Sequence, residues 1–171
     1  NKSSATSLGV ASLRAAHQLL DGEPKLLYDP VILQLLGSAF TERLRQDPGR
    51  FQSPGSVWLR SHVLIRSRYA EDCLAAACRR GVRQYILLGA GLDTYAWRQA
   101  PELEELRIFE IDHPATQEQK RQMLDRAGLK TPDNLFFTPA DFEHSTIAEA
   151  LRGQPFDPTL PCFISWLGVM V

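Results

Sequence analysis

Through the first eighty positions the apolar residues recur at helical spacing. Leu8, Ala11, Ala15 and Leu19 fall three or four apart and predict a helix over 8–20, led in by a small polar arm at 1–7 that suits a mobile segment. A turn is expected at Asp29-Pro30, because proline disfavours helical backbone in the residue before it and suits a helix's first position. A second helix is expected over 31–46, ending at Asp47-Pro48-Gly49. After Pro54-Gly55, residues 57–80 predict a long helix with Leu59, Val63, Ala70, Leu74 and Ala77 inward. Arg79 and Arg80 suit its negative end, and Gly81 its cap.

The period then changes. Four short apolar runs, 84–88, 106–111, 134–138 and 161–165, are separated by stretches that predict helices at 94–105 (interrupted near Pro101), 115–127 (capped by Gly128) and 145–151. Strand and helix in alternation give a parallel sheet, so the fold class is α/β and Rossmann-like, with residues 1–80 as an amino-terminal helical cap and 81–171 as the sheet-bearing part.

Composition narrows the function classes. The 171 residues are 44% hydrophobic and 23% charged, as in an ordinary globular domain. The net charge is −1 with no long run of one sign, which leaves no nucleic-acid footprint and favours a small-molecule site. The most apolar stretches, 85–92 and 162–171, fall well short of the ~20 residues that cross a bilayer, and no signal-peptide core opens the chain, so no membrane role and a cytoplasmic location are expected. Cys73, Cys78 and Cys162 lack C-x-x-C spacing and the histidines are scattered, so neither a disulfide framework nor a metal site is expected.

The most informative segment is the buried-strand run that breaks into Gly89-Ala90-Gly91-Leu92-Asp93-Thr94. Glycine lets the backbone turn tightly and approach a ligand with no Cβ in the way. A second strand, Ile108-Phe109-Glu110-Ile111-Asp112, ends in a carboxylate 21 residues after Gly91, close to the offset of about 20 at which nucleotide-binding Rossmann folds place an acidic ribose ligand. A dinucleotide loop wants a third small residue, glycine or alanine, where a helix terminus holds the pyrophosphate. Here that position is Thr94, and Asp93 brings negative charge beside it. S-adenosyl-L-methionine (SAM) carries a sulfonium and an ammonium and no phosphate, so it tolerates that carboxylate. A glycine turn in a ligand-free α/β domain is the plain alternative.

GAGLDTYAW followed by FEIDHP resembles the leucine carboxyl methyltransferase family, with its G-A-G-x-D-T loop and F-E-x-D-x-P second strand. The likeness extends to Tyr28-Asp29-Pro30, Arg66-Ser67-Arg68-Tyr69, Pro139-Ala140-Asp141-Phe142 and Trp166-Leu167-Gly168-Val169. It implies a class I, SAM-dependent O-methyltransferase acting on a carboxylate, on a small molecule or a protein C-terminus. By that resemblance Gly89, Ala90 and Gly91 pack against the methionine part of SAM. Asp112, with Glu110 beside it, holds the ribose hydroxyls; Asp141 and Phe142 meet the adenine; Arg66 or Arg68 pairs with the SAM carboxylate, a contact suited to guanidinium geometry. For the arginines the rival role is solvent exposure, and for Asp141 it is a helix cap.

The chain departs from the family in two places. Leu167 stands where many members carry an acidic residue. The class I sheet also has seven strands where this sequence supplies four, so the fold is expected to be truncated after the fourth, leaving residues 163–171 an apolar edge. A missing carboxyl-terminal half or a homodimer partner would cover it. No catalytic residue is nominated, since an ionised carboxylate needs no general base, and Tyr95 and Trp97 are read as core packing. A catalytically inactive SAM-binding module and a dinucleotide-dependent oxidoreductase are the alternatives.

Overall fold

A computed structural model describes residues 2–99 and 105–167. Helix α1 (Lys2–Leu20) takes in the segment expected to be a mobile arm. No proline interrupts it and Gly9 is accommodated within it, and at Ser7 the helix comes close enough to the glycine loop that a Cβ placed on Gly91 would lie 3.1 Å from the Ser7 Cβ. The helix expected over 31–46 is instead two, α2 (Pro30–Leu36) and α3 (Ser38–Gln46). Gly37 divides them at φ 83°, a left-handed conformation that glycine takes freely, and its N–H closes α2 on the Leu33 and Gln34 carbonyls.

A short α4 (Gly49–Gln52) precedes α5 (Pro54–Arg79), which starts earlier than expected because Ser53 caps it through the Ser56 N–H with Pro54 at its first position. Val63, Ala70, Leu74 and Ala77 are buried, but Leu59 is exposed. Arg60 takes the interior in its place: its guanidinium holds both Asp21 oxygens at 2.8 and 2.7 Å and the Phe51 carbonyl at 2.6 Å.

The strands are β1 (Gln84–Leu88), β2 (Arg107–Asp112), β3 (Leu135–Pro139) and β4 (Phe163–Trp166). All pairings are parallel, in the order β3-β2-β1-β4. The sheet is Rossmann-like, with its crevice at the carboxyl ends of the strands. Successive side chains point to opposite faces. Tyr85, Leu87 and Ile108 pack with Leu74 and Cys78 of α5, whereas Ile86, Leu88, Phe109 and Ile111 pack against Leu151 and the half-buried Ile147. The latter side carries α8 (Ile147–Ala150), opened by a capping box between Thr146 and Glu149.

Helix α6 (Tyr95–Arg98) follows the glycine loop; it is shorter than expected, and residues 100–104 of that expectation lie outside the described residues. Helix α7 (Pro114–Ala127) ends at Gly128, φ 65°. Among the described residues β4 pairs on one side only, and its Trp166 is 62% exposed; the end of the expected apolar edge, 168–171, also lies outside them. No helix among the described residues is long and apolar enough to cross a membrane.

Candidate functional site

The site is built at the tips of β1, β2 and β3. Gly89 and Gly91 adopt φ 65° and 53°, so the chain can leave β1 in a tight turn. The Gly89 N–H bonds to the Ile111 carbonyl at 2.8 Å, and the Gly91 N–H donates to Asp112 Oδ2 at 2.6 Å. Asp112 Oδ1 accepts from the His113 N–H at 2.6 Å. The carboxylate is thereby fixed at the strand tip, 8% exposed, with a lone pair on each oxygen still free of these bonds. The Ala140 N–H donates to the Asp112 carbonyl at 2.9 Å, which brings the start of the Asp141-Phe142 segment to the same edge.

Asp141 is half-buried and forms a turn in which it accepts from the Glu143 N–H at 3.0 Å and lies 3.0 Å from His144 Nδ1. Those contacts hold its carboxyl below the ordinary carboxylate range. Phe142 beside it is 41% exposed, an apolar ring left open at the crevice edge. Asp141, Glu143 and His144 also bring three ligand-type atoms within 4.8 Å, at an exposed turn whose Asp141 oxygens are already engaged.

Glu110 is two residues before Asp112 on the same side of β2, but it lies deeper. Its Oε2 meets Lys120 Nζ of α7 at 2.5 Å, and both side chains are 1% exposed. Burial pushes its carboxyl up to about 7, only partly offset by the Lys120 charge and hydrogen bond. Oε2 is thereby engaged by Lys120, while Oε1 is buried with no hydrogen-bond partner among the described residues.

The two candidate arginines also part company. Arg68 is exposed and paired with Asp72 at 2.9 Å one turn on. Arg66 is half-buried, one turn from Val63 and from Ala70 on the inward side of α5. Its Nε is shut off from solvent with no hydrogen-bond partner among the described residues, and burial lowers its pKa.

Sequence reasoning missed a set of charged side chains behind the loop. Asp29 is fully buried and caps α2 through the Ile32 N–H at 3.2 Å. Its carboxylate accepts from Thr94 Oγ1 at 2.9 and 2.8 Å, and pairs with Arg14 Nη2 at 2.7 Å and Arg98 Nε at 3.3 Å. Arg14 also holds Asp93 at 2.9 Å, and Arg98 holds Glu71 of α5 at 2.6 Å. Burial would raise the Asp93 carboxyl, but Arg14, Arg98 and Lys120 together keep it below the ordinary range, so it is anionic at neutral pH. The Asp29-Pro30 pair was visible as a turn; its partners, far away in sequence, were not.

The sequence profile described as leucine carboxyl methyltransferase matches residues 7–171. A Bacillus subtilis protein provisionally named an S-adenosyl-L-methionine-dependent methyltransferase, YktD, is 35% identical over 191 aligned positions, covering 99% of this chain and 62% of its own length. A Saccharopolyspora erythraea protein with the same provisional description is 34% identical, over 95% of this chain and 54% of its own. Another, from Mycobacterium avium, is 29% identical over 97% and 55%. The chain thus spans between about half and two thirds of the length of these curated relatives.

Proposed function

The chain belongs to the leucine carboxyl methyltransferase family, and from that premise we propose that it binds SAM at the tips of β1, β2 and β3 and forms the cofactor-holding part of an O-methyltransferase. The observation that carries the reading is Asp112, a carboxylate locked onto the Gly91 N–H at the end of β2 with acceptor capacity left for a ribose diol.

The other residues fit the same ligand. Gly89, Ala90 and Gly91 offer backbone to the methionine portion, and the half-buried Arg66, with its orphaned Nε, suits a carboxylate. Asp141 and the open ring of Phe142 suit an adenine. Asp93, held anionic where a dinucleotide would place its pyrophosphate, argues for a cationic cofactor. SAM supplies a methyl group on a sulfonium. The protein's task is then to align the acceptor oxygen with it, and for a carboxylate acceptor, of a small molecule or a protein C-terminus, no general base is required. On this reading residues 1–80 serve as a helical cap over the cofactor loop.

Calorimetric titration with S-adenosylhomocysteine tests the site. Asp112→Ala should weaken binding by about 1.5–3 kcal/mol, the range for hydrogen bonds to a charged group. Unchanged affinity would remove Asp112 from the site, and tighter binding of NAD than of S-adenosylhomocysteine would favour the oxidoreductase reading. Methyl transfer to carboxylates, followed with labelled SAM, separates an enzyme from an inactive binding module.

A further inference from the structure

We propose that Arg14 and Asp29, carried by the amino-terminal helices, are positioning residues that fix the glycine loop for its cofactor; the inference rests on the SAM site proposed above. Capping α2 would need only a small polar side chain, and asparagine, serine or threonine would do. Asp29 does far more. Its N–H donates to Gln18 of α1 at 3.0 Å, while its carboxylate gathers Thr94 from the loop, Arg14 from α1 and Arg98 from α6.

Thr94 is the point where this network meets the loop. Its hydroxyl donates to Asp29 and accepts from Arg14 Nη2 at 3.0 Å and Arg98 Nε at 3.1 Å, so its orientation is fixed from three directions. One residue earlier, Asp93 is held by Arg14 on one oxygen and by the Tyr95 N–H at 2.7 Å on the other. The Asp93 N–H in turn closes on the Ala90 carbonyl at 2.9 Å. The far end of the loop is therefore clamped to the amino-terminal helices, as its near end is clamped to β2 through Gly91 and Asp112.

Charge points the same way. The guanidiniums of Arg14 and Arg98 face the carboxylates of Asp29, Asp93 and Glu71, leaving one negative charge in excess beside the loop. The neighbouring Lys120–Glu110 pair adds no net charge once the Glu110 carboxyl, raised to about 7, is ionised, so the excess is full above that pH. Such an excess suits a cationic ligand. A tether that served stability alone would have no need of it, since buried ionic groups are seldom more stabilising than apolar ones of the same shape.

Asp29→Asn tests the proposal, because asparagine keeps the α2 cap while removing the charge that holds Arg14 and Arg98. The measurements are S-adenosylhomocysteine affinity by calorimetry, amide exchange of residues 89–94 against β1 and β2, and a melting curve that confirms folding. The expected result is affinity lowered by about tenfold, within the range by which substitutions that touch no ligand shift a coupled site, with faster exchange in the loop and parental exchange in the strands. Thr94→Val removes the shared hydroxyl and no charge, should shift both readouts in the same direction, and decides the matter if Asp29→Asn does not fold. Folded variants with parental affinity and parental loop exchange would overturn the positioning role. A parent that binds no S-adenosylhomocysteine would instead overturn the SAM site on which it rests.

Discussion

Removing the cation from the buried Glu110–Lys120 pair should produce a stability loss that grows with pH, and the structure sets its size. In the parent, burial lifts the Glu110 carboxyl from an ordinary 4.5 to about 7 despite Lys120 at 2.5 Å. The folded state thus keeps its proton longer than the unfolded state. Stability falls as pH climbs from about 4.5 to about 7, at up to about 1.4 kcal/mol per unit, and levels off above that, once the carboxylate has formed beside Lys120. In Lys120→Met nothing offsets burial or the negative charges of Asp93 and Asp112, so the Glu110 carboxyl moves higher still and the decline continues.

Below pH 6 the variant should differ from the parent mainly by the lost contacts of the ammonium with the Trp97 and Phe137 rings, 5.2 and 5.7 Å from their centroids, worth about 1 kcal/mol. By about pH 8.5 the gap should widen to about 3 kcal/mol, the low end of what removing one partner of a buried pair costs. Urea unfolding of both proteins at pH 6, 7 and 8.5 measures it. The double variant Glu110→Gln, Lys120→Met should lose this pH dependence altogether. A gap constant with pH, or a pH dependence that survives in the double variant, would refute the reasoning.

Gly91→Ala should destabilise the fold by about 1–2 kcal/mol, the cost of a side chain in the left-handed region, because Gly91 sits at φ 53° and an added Cβ would press on Ser7 at 3.1 Å; urea melts matching the parent would contradict this. If the amino-terminal helices close over the cofactor, saturating S-adenosylhomocysteine should slow amide exchange across residues 8–70, since a ligand that binds only the closed form stabilises it by mass action. Equal exchange with and without ligand would remove the lid.

The strands were legible because a parallel sheet is covered on both faces and its strands read as short continuous apolar runs: β1 falls on 84–88 as expected, and the others within two residues. The glycine loop was legible because no other residue turns so tightly after a buried strand. Gly37 was not. A lone glycine inside a helical pattern costs about 1 kcal/mol and is often tolerated, so only its observed φ reveals a break. The orientation of α5 was misread at Leu59 because periodicity assumes that charge faces water, whereas Asp21 draws the neighbouring Arg60 inward from 39 residues away.

The same assumption hid Arg14, Lys120 and Arg98, which on their own helices look like solvated charges. A usable signal did exist for Lys120. Glu110 lies between the apolar Phe109 and Ile111, two residues from Asp112, so the period of two puts both carboxylates on one buried face. A carboxylate at mid-strand on such a face demands a cation, and α7, the next element, supplies one at Lys120. Asp29 offers no such handle. A capping role satisfies its sequence context completely, and only the meeting of α1, α2, α6 and the loop in space shows that one carboxylate holds all of them.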